Sequence, residues 1–433
     1  MEPAEAKLAD AMPLLHNALP LSGPRTRDCP DIATPGHLSR PTPCYPPMLR
    51  TFLSSQPTLA DVVVPARGSA ELHGPGRDAA ASCSATILRG PSEERIRCER
   101  DLDRLGVPLP LEYRQVAAPV VAARETMLLV VRGNEGRCAG ALGINLRAAP
   151  VLPGHVVWDV IRLGAALAPA LRPLALQTLI HAVQRDPRVL RLTLQTFSRD
   201  TDEREDYASH LLALGLKPLE VRNSYRQTLV LDLRLDEQTI FNGFERSGRR
   251  NIKVAAKAPA TLAPITDSRY AHRLELLMLE TLARTGGRYA PQDWRAMIDL
   301  TRDAPCLSRL VGIFSNDSEG PDSLLAFAWG RAHGDHVEYA QGGSTRDVPF
   351  RMPMAYPLMW DLITWAKRVG ATWFDFGGVS EEAPAEGDDP LRGISEFKRY
   401  FSRELVTVAD EWVYEPSSMR ARAARVAHRW LTR

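Results

Sequence analysis

The sequence predicts an α/β (α+β) protein built twice on one plan, each copy a mixed sheet flanked by helices. Its 433 residues exceed the usual size of one domain, so two domains with ample core are expected. A hairpin, helix, strand, helix, strand order runs from about residue 126 to 233, and the opening of that order returns from Leu310 to Phe376. The likeness between the copies is one of plan, not residue by residue.

Residues 1–58 are rich in Pro, Ser, Thr and Arg without a sustained apolar period, so a flexible arm is expected there. The first domain is placed at 59–235 and the second at 236–433, with the segment after about residue 403 free to return to the first. Between Leu59 and Pro119 helical and extended readings compete. From Thr126 the pattern sharpens. Met127 to Val131 and Cys138 to Leu146 read as strands around the turn Gly133-Asn134-Glu135-Gly136. A helix from Ala170 to Arg185 follows, then a strand from Leu190 to Phe197, a short helix from about Tyr207 to Leu214 and a strand-rich run from Tyr225 to Leu233.

Asp236 reads as the N-cap of a helix ending near Pro259, whose apolar face carries Ile240, Phe241, Phe244, Gly248, Ile252 and Ala255. Arg246, Arg249, Arg250, Lys253 and Lys257 recur at intervals of three and four on its other side, with Glu245 alone to offset them. Like charges so spaced repel, and an anionic partner would relieve them. In the second copy Leu310 to Phe314, Leu324 to Ala332 and His336 to Gln341 read as a meander. The helix Tyr356 to Val369 and the strand Thr372 to Phe376 complete it.

A formal charge of +2 gives no general attraction to phosphate, so any nucleic-acid contact must come from a local basic patch. The six cysteines lack the close spacing of a zinc or redox motif and read as free thiols. The start Met-Glu-Pro-Ala-Glu-Ala has neither the basic nor the apolar region of a secretory signal. Nor is there an apolar run of about eighteen residues to span a bilayer. A cytoplasmic monomer without a membrane span is expected.

The strongest chemical signal lies near the C-terminal end. Phe374-Asp375-Phe376-Gly377-Gly378 reads as a strand delivering its backbone to a cleft, and Phe397-Lys398 follows within an aromatic segment. One cation beside a glycine-lined strand end suits chemistry that builds negative charge on a transferred acyl group. His333, Asp335, His336 and Glu338 carry metal-ligand side chains, but Gly334-Asp335 reads as a hairpin turn that throws them apart, so no metal is expected.

Several segments resemble the Fem family of non-ribosomal peptidyltransferases, which add amino acids from aminoacyl-tRNA to peptidoglycan precursors. Tyr225-Arg-Gln-Thr-Leu-Val-Leu-Asp-Leu233 resembles the strand opening that family's second half. Arg249-Arg250-Asn251-Ile252-Lys253 is similar to its basic helix, and Met278 to Tyr289, with Arg288, to the helix and turn that follow. Asp375-Phe376-Gly377-Gly378 and then Phe397-Lys398 resemble its closing signature.

The resemblance implies tandem GNAT-like acyltransferase domains, here with no coiled-coil arm. It implies aminoacyl-tRNA as co-substrate with no bound cofactor, and an amine acceptor, either a cell-wall precursor peptide or a small metabolite. Lys398 would stabilise the oxyanion and Asp375 orient the amine or take its proton. Arg249, Arg250, Asn251, Lys253, Arg288, Tyr339, Phe376, Gly377, Gly378 and Phe397 would contact substrates. Two rival readings remain open: an N-acyltransferase using acyl-CoA, and a non-catalytic module binding an anionic glycopeptide or RNA. Against the first, Arg346 to Ala355 lacks the glycines that cradle a pyrophosphate.

Overall fold

The computed structural model describes residues 83–120, 125–133, 136–149, 152–164, 166–220, 224–286, 291–348, 352–379 and 392–417, with positions 350, 419, 420, 423 and 426. The expected arm and Arg288 lie outside the described residues.

Continuous apolar runs make the strands of the first half. In β2 (Glu125–Arg132) Met127 to Val131 are all buried, because both sheet faces are covered. This strand lies between β1 (Ser84–Arg89) and β3 (Cys138–Ala148), and β4 (Val156–Leu163) follows. Helix α1 (Glu93–Arg104) packs Cys98 and Leu102 on one face with Leu128 and Val130. Helix α2 (Arg172–Arg185) covers the other with Leu176, Leu179 and Val183 against Met127, Leu129 and Trp158. It crosses over to β5 (Val189–Phe197), which is parallel to β4, and α3 (Thr201–Ala213) and β6 (Lys217–Pro218) end this half.

The second half opens with β7 (Gln227–Asp232), α4 (Glu237–Gly243), α5 (Arg246–Ala255) and β8 (Ala260–Pro264). Helices α6 (Ala271–Thr285) and α7 (Trp294–Asp303) lead to the meander β9 (Ser308–Ser315), β10 (Leu324–Ala332) and β11 (His336–Ser344). Then α8 (Ala355–Arg368) crosses to β12 (Trp373–Gly378), parallel to β11. The described elements close with α9 (Arg392–Arg399), β13 (Leu405–Thr407) and β14 (Ala409–Tyr414). Leu358, Leu362 and Ile363 of α8 bury one face of this sheet; Leu274, Leu277 and Met297 of α6 and α7 bury the other.

Two seven-stranded mixed sheets result, ordered β1-β2-β3-β4-β5-β14-β6 and β13-β7-β12-β11-β10-β9-β8. Meander, crossover helix and parallel strand occur in each, which is the duplicated α/β plan expected from the sequence. The closing strands are exchanged. β7, next in sequence after the first sheet, pairs with β12, whereas β14 returns to pair with β5. The sheets therefore divide the chain before β7, earlier than residue 236.

The single helix expected from Asp236 to about Pro259 is two. Asp236 does cap α4, accepting from the Thr239 amide at 2.9 Å. The chain then turns extended at Phe244, where the Glu245 amide donates to the Tyr400 carbonyl at 2.9 Å. A tertiary partner thus replaces the intrahelical one. No described helix is long and apolar enough to cross a membrane.

Candidate functional site

The site begins where two parallel strands part. β11 and β12 pair from His336–Trp373 to Glu338–Asp375, although β11 runs on to Ser344 and β12 to Gly378. Beyond that pair the ladder between the two strands ends. Gly377, at φ 73°, makes a bulge between Asp375 and Gly378 in the pairing with β7. A Cβ on Gly377 would lie 3.3 Å from the Tyr339 carbonyl oxygen and 3.7 Å from Lys398 Nζ. Strand end, meander and α9 therefore meet at one point.

Lys398 is 5% exposed, and its ammonium donates to the Gly378 carbonyl at 2.6 Å. Burial pushes it down to about 8, against the pull of the Asp375 and Glu338 carboxylates. Aromatic packing fixes its helix: Phe397 meets Tyr356 and Phe401 edge to face at 5.2 and 5.3 Å, and Phe401 stacks on Phe376.

Asp375 is fully buried at the end of the paired region. Its Oδ1 accepts from the Gly377 amide at 2.8 Å and lies 2.6 Å from the Thr228 hydroxyl, and its Oδ2 accepts from Tyr225 at 2.8 Å. The carboxylate is thus turned onto the protein's own backbone and hydroxyls. Tyr339, pushed up to about 12 by burial, sets its hydroxyl against Gly342, where a Cβ would stand 2.6 Å away.

Beside Asp375 lies a buried ionic cluster. Arg162, from β4 of the first sheet, reaches Glu338 at 2.7 Å, and Arg331 holds the same carboxylate at 2.5 Å. Burial by itself would raise the Glu338 carboxyl, but these two guanidiniums hold it well below the usual carboxylate range. His333 bridges Glu338 and Glu112, at 3.3 and 3.2 Å. His336 pairs with Asp335 at 2.7 Å, while burial keeps its imidazole below its ordinary value. The four side chains expected to be thrown apart by the hairpin are drawn into linked pairs, because Arg162 and Glu112 arrive from the other domain. They form no metal-holding group, and none occurs among the described residues.

The same junction holds a cavity of about 190 Å³ lined by Phe197, Arg199, Asp335, His336 and Trp373. Phe197, His336 and Trp373 stack nearly parallel along it.

Set beside solved structures, the chain is similar in fold to FemX, with a TM-score of 0.61 at 16% identity, over 76% of this chain and 97% of that one. The chain has the FemX fold. Similarity of lower score extends to L-PGS from Bacillus licheniformis, at TM-score 0.48, 12% identity, and 79% and 98% coverage of this chain and that one. The C-terminal domain of a putative lysylphosphatidylglycerol synthetase from Agrobacterium fabrum gives 0.46, 12%, and 78% and 96%. No family model and no curated protein matches the sequence.

Within this FemX-like fold Lys398, Asp375, Tyr339, Gly377, Gly378 and Phe397 come together. Phe376 is wholly buried in the core between Phe374 and Phe401. The basic helix is joined to the same place, since Gly248 of α5 packs on the Tyr400 backbone. Its cations divide. Arg249 turns inward, donating to the Asn242 carbonyl at 2.6 Å and to that of Phe244, so it ties off the end of α4. Arg246, Arg250, Lys253 and Lys257 stay exposed. Sequence reasoning missed Arg162 and Thr228 and did not single out Tyr225 as a site residue. For Tyr225 the signal was its place two residues before an apolar strand that pairs with β12.

Proposed function

We propose that the chain is an aminoacyltransferase, moving an aminoacyl group from aminoacyl-tRNA to an amine of a cell-wall precursor peptide. The reading rests above all on the Lys398 ammonium, buried and fixed beside the two glycines where β11 and β12 separate. An amine attacking an ester carbonyl generates a tetrahedral oxyanion, and a cation already desolvated and aimed at that position stabilises it without reorganising. An ammonium has three N–H donors, one of them held here by Gly378. Asp375, turned inward, serves by holding the Gly377 amide and Tyr225 rather than by meeting substrate. The cations left exposed on α5 face outward, available to an anionic partner.

The donor is argued from the turn before α8. Glu280 of α6 accepts from Thr345 Oγ1 at 3.1 Å and from the Arg346 amide at 3.0 Å. A carboxylate therefore occupies one backbone donor and one hydroxyl at the start of this turn, which, with the missing glycines, favours a tRNA-borne ester over a CoA pyrophosphate. A single-turnover assay offering charged tRNA mixtures or acetyl-CoA, with cell-wall precursor as acceptor, tests this. New amide linked to tRNA deacylation is expected from the wild type and not from Lys398→Ala. Acyl transfer from acetyl-CoA alone would overturn the donor, and transfer from neither would overturn the reaction.

A further inference from the structure

Arg162 belongs to the first sheet but spends its charge in the second. It stands where the β4–β5 ladder slips between Val160 and Leu163, and among the described residues it alone, glycine excepted, has a positive φ, at 54°. Side chains disfavour that conformation, which persists where surrounding contacts over-determine it and gathers at working sites. Those contacts are visible. The Arg162 amide donates to Gln195 Oε1 at 3.2 Å, the neighbouring Ile161 amide to the Tyr113 hydroxyl at 2.8 Å, and the guanidinium lies 4.3 Å over the Phe197 ring.

The slip re-aims the side chain across the domain junction. There Arg162 meets Glu338 at 2.7 Å, His336 Nε2 at 3.0 Å and the Tyr225 hydroxyl at 3.1 Å, with Asp375 and Glu112 each at 3.8 Å. A continuous path runs on from it: Tyr225 donates to Asp375, Asp375 accepts from the Gly377 amide, and Gly378 accepts from Lys398. We infer that Arg162 is a positioning residue for the Lys398 site, lent by the first domain to hold Glu338, Tyr225 and Asp375 in place. It thereby sets both the glycine backbone and the charge that the ammonium feels. This rests on the reading of that site as the seat of transfer.

The rival role is that of a plain tie between domains. The two differ in what Lys398 experiences. The charges acting on its ammonium are Asp375 and Glu338. Arg162 partly neutralises both, while Arg331 and His333 also contact Glu338. Removing the Arg162 charge should therefore strengthen the hold of the carboxylates on the proton of Lys398. A tie would change the melting temperature and leave that proton alone.

The chain contains six lysines, so a lysine side-chain carbon label followed by NMR across pH resolves Lys398, assigned by its loss in Lys398→Arg. In Arg162→Met its midpoint is expected to rise by about half a unit or more. Arg162→Lys keeps a charge but loses the fork of donors. It should leave the midpoint in place while lowering kcat about tenfold with KM little changed. If Arg162→Met does not fold, Tyr225→Phe, which breaks the same path at its middle link, should show the same fall in kcat. An unmoved midpoint in folded Arg162→Met, or unaltered kcat in Arg162→Lys and Tyr225→Phe, would reduce Arg162 to a tie. Failure of the wild type to transfer from any donor would sink the functional reading instead, with the NMR titration still deciding the charge coupling.

Discussion

At Lys398 two opposite pH trends should come from one proton. Burial lowers the ammonium from its ordinary 10.5 to about 8, so the cation proposed to stabilise the oxyanion is present below that pH and lost above it. Transfer should fall as pH rises through about 8, and Lys398→Arg, which stays charged, should abolish that limb whatever its rate. Stability should respond the other way. Between the folded and unfolded midpoints the unfolded chain binds more protons, so this group's contribution to stability grows from about pH 8 toward 10.5. Chemical denaturation across that window measures it. Lys398→Ala is expected to lower kcat on the order of a hundredfold with KM nearly kept, read by steady-state kinetics on folded protein.

Among the elements, the bulge of β12 carries the most risk. Gly377→Ala must place a Cβ at φ 73° and 3.3 Å from the Tyr339 oxygen, so a loss of about 1 kcal/mol or more is expected, with activity falling further as Lys398 shifts. Thermal melts and rates on one preparation separate the two. On α5, Arg250→Glu with Lys253→Glu should weaken tRNA binding and flatten its dependence on salt while leaving the melt intact, whereas Arg249→Glu should lower the melt, because Arg249 caps α4. What was legible in the sequence follows the same division. β2, β3, α2, β10 and α8 could be read from period and turn residues because each buries apolar side chains in regular order. β4 escaped because Asp159 and Arg162 interrupt it, and their partners Arg147 and Glu338 sit beside them only after folding. Lys398 and the glycines were legible as a local string. Arg162 was not, since no local pattern marks a charge whose partners are supplied by another sheet. The split of α4 from α5 depended likewise on Tyr400, more than a hundred residues away.

For the whole molecule, the junction makes the two sheets one unit. Phe197, Val230, Trp373, Val408 and Ala409 form an apolar cluster drawing on both, and the Arg162 contacts lie beside it. A single unfolding transition, coincident by tryptophan fluorescence and far-ultraviolet dichroism, is therefore expected; two separated transitions would show that the junction is weak. Truncation after residue 408 should cost the first sheet its β5 partner and yield aggregated protein, judged by solubility and dye binding. The return of β14 also bears on synthesis. A ribosome emits the first half long before residues 409–414, so β5 must wait with an unpaired edge while about the next half of the chain is translated. The second sheet, whose strands all lie between 227 and 407, can assemble during that interval. Slow translation, far from helping, would lengthen the time in which nascent chains can join edge to edge, and a holding chaperone bound near β5 would raise the yield.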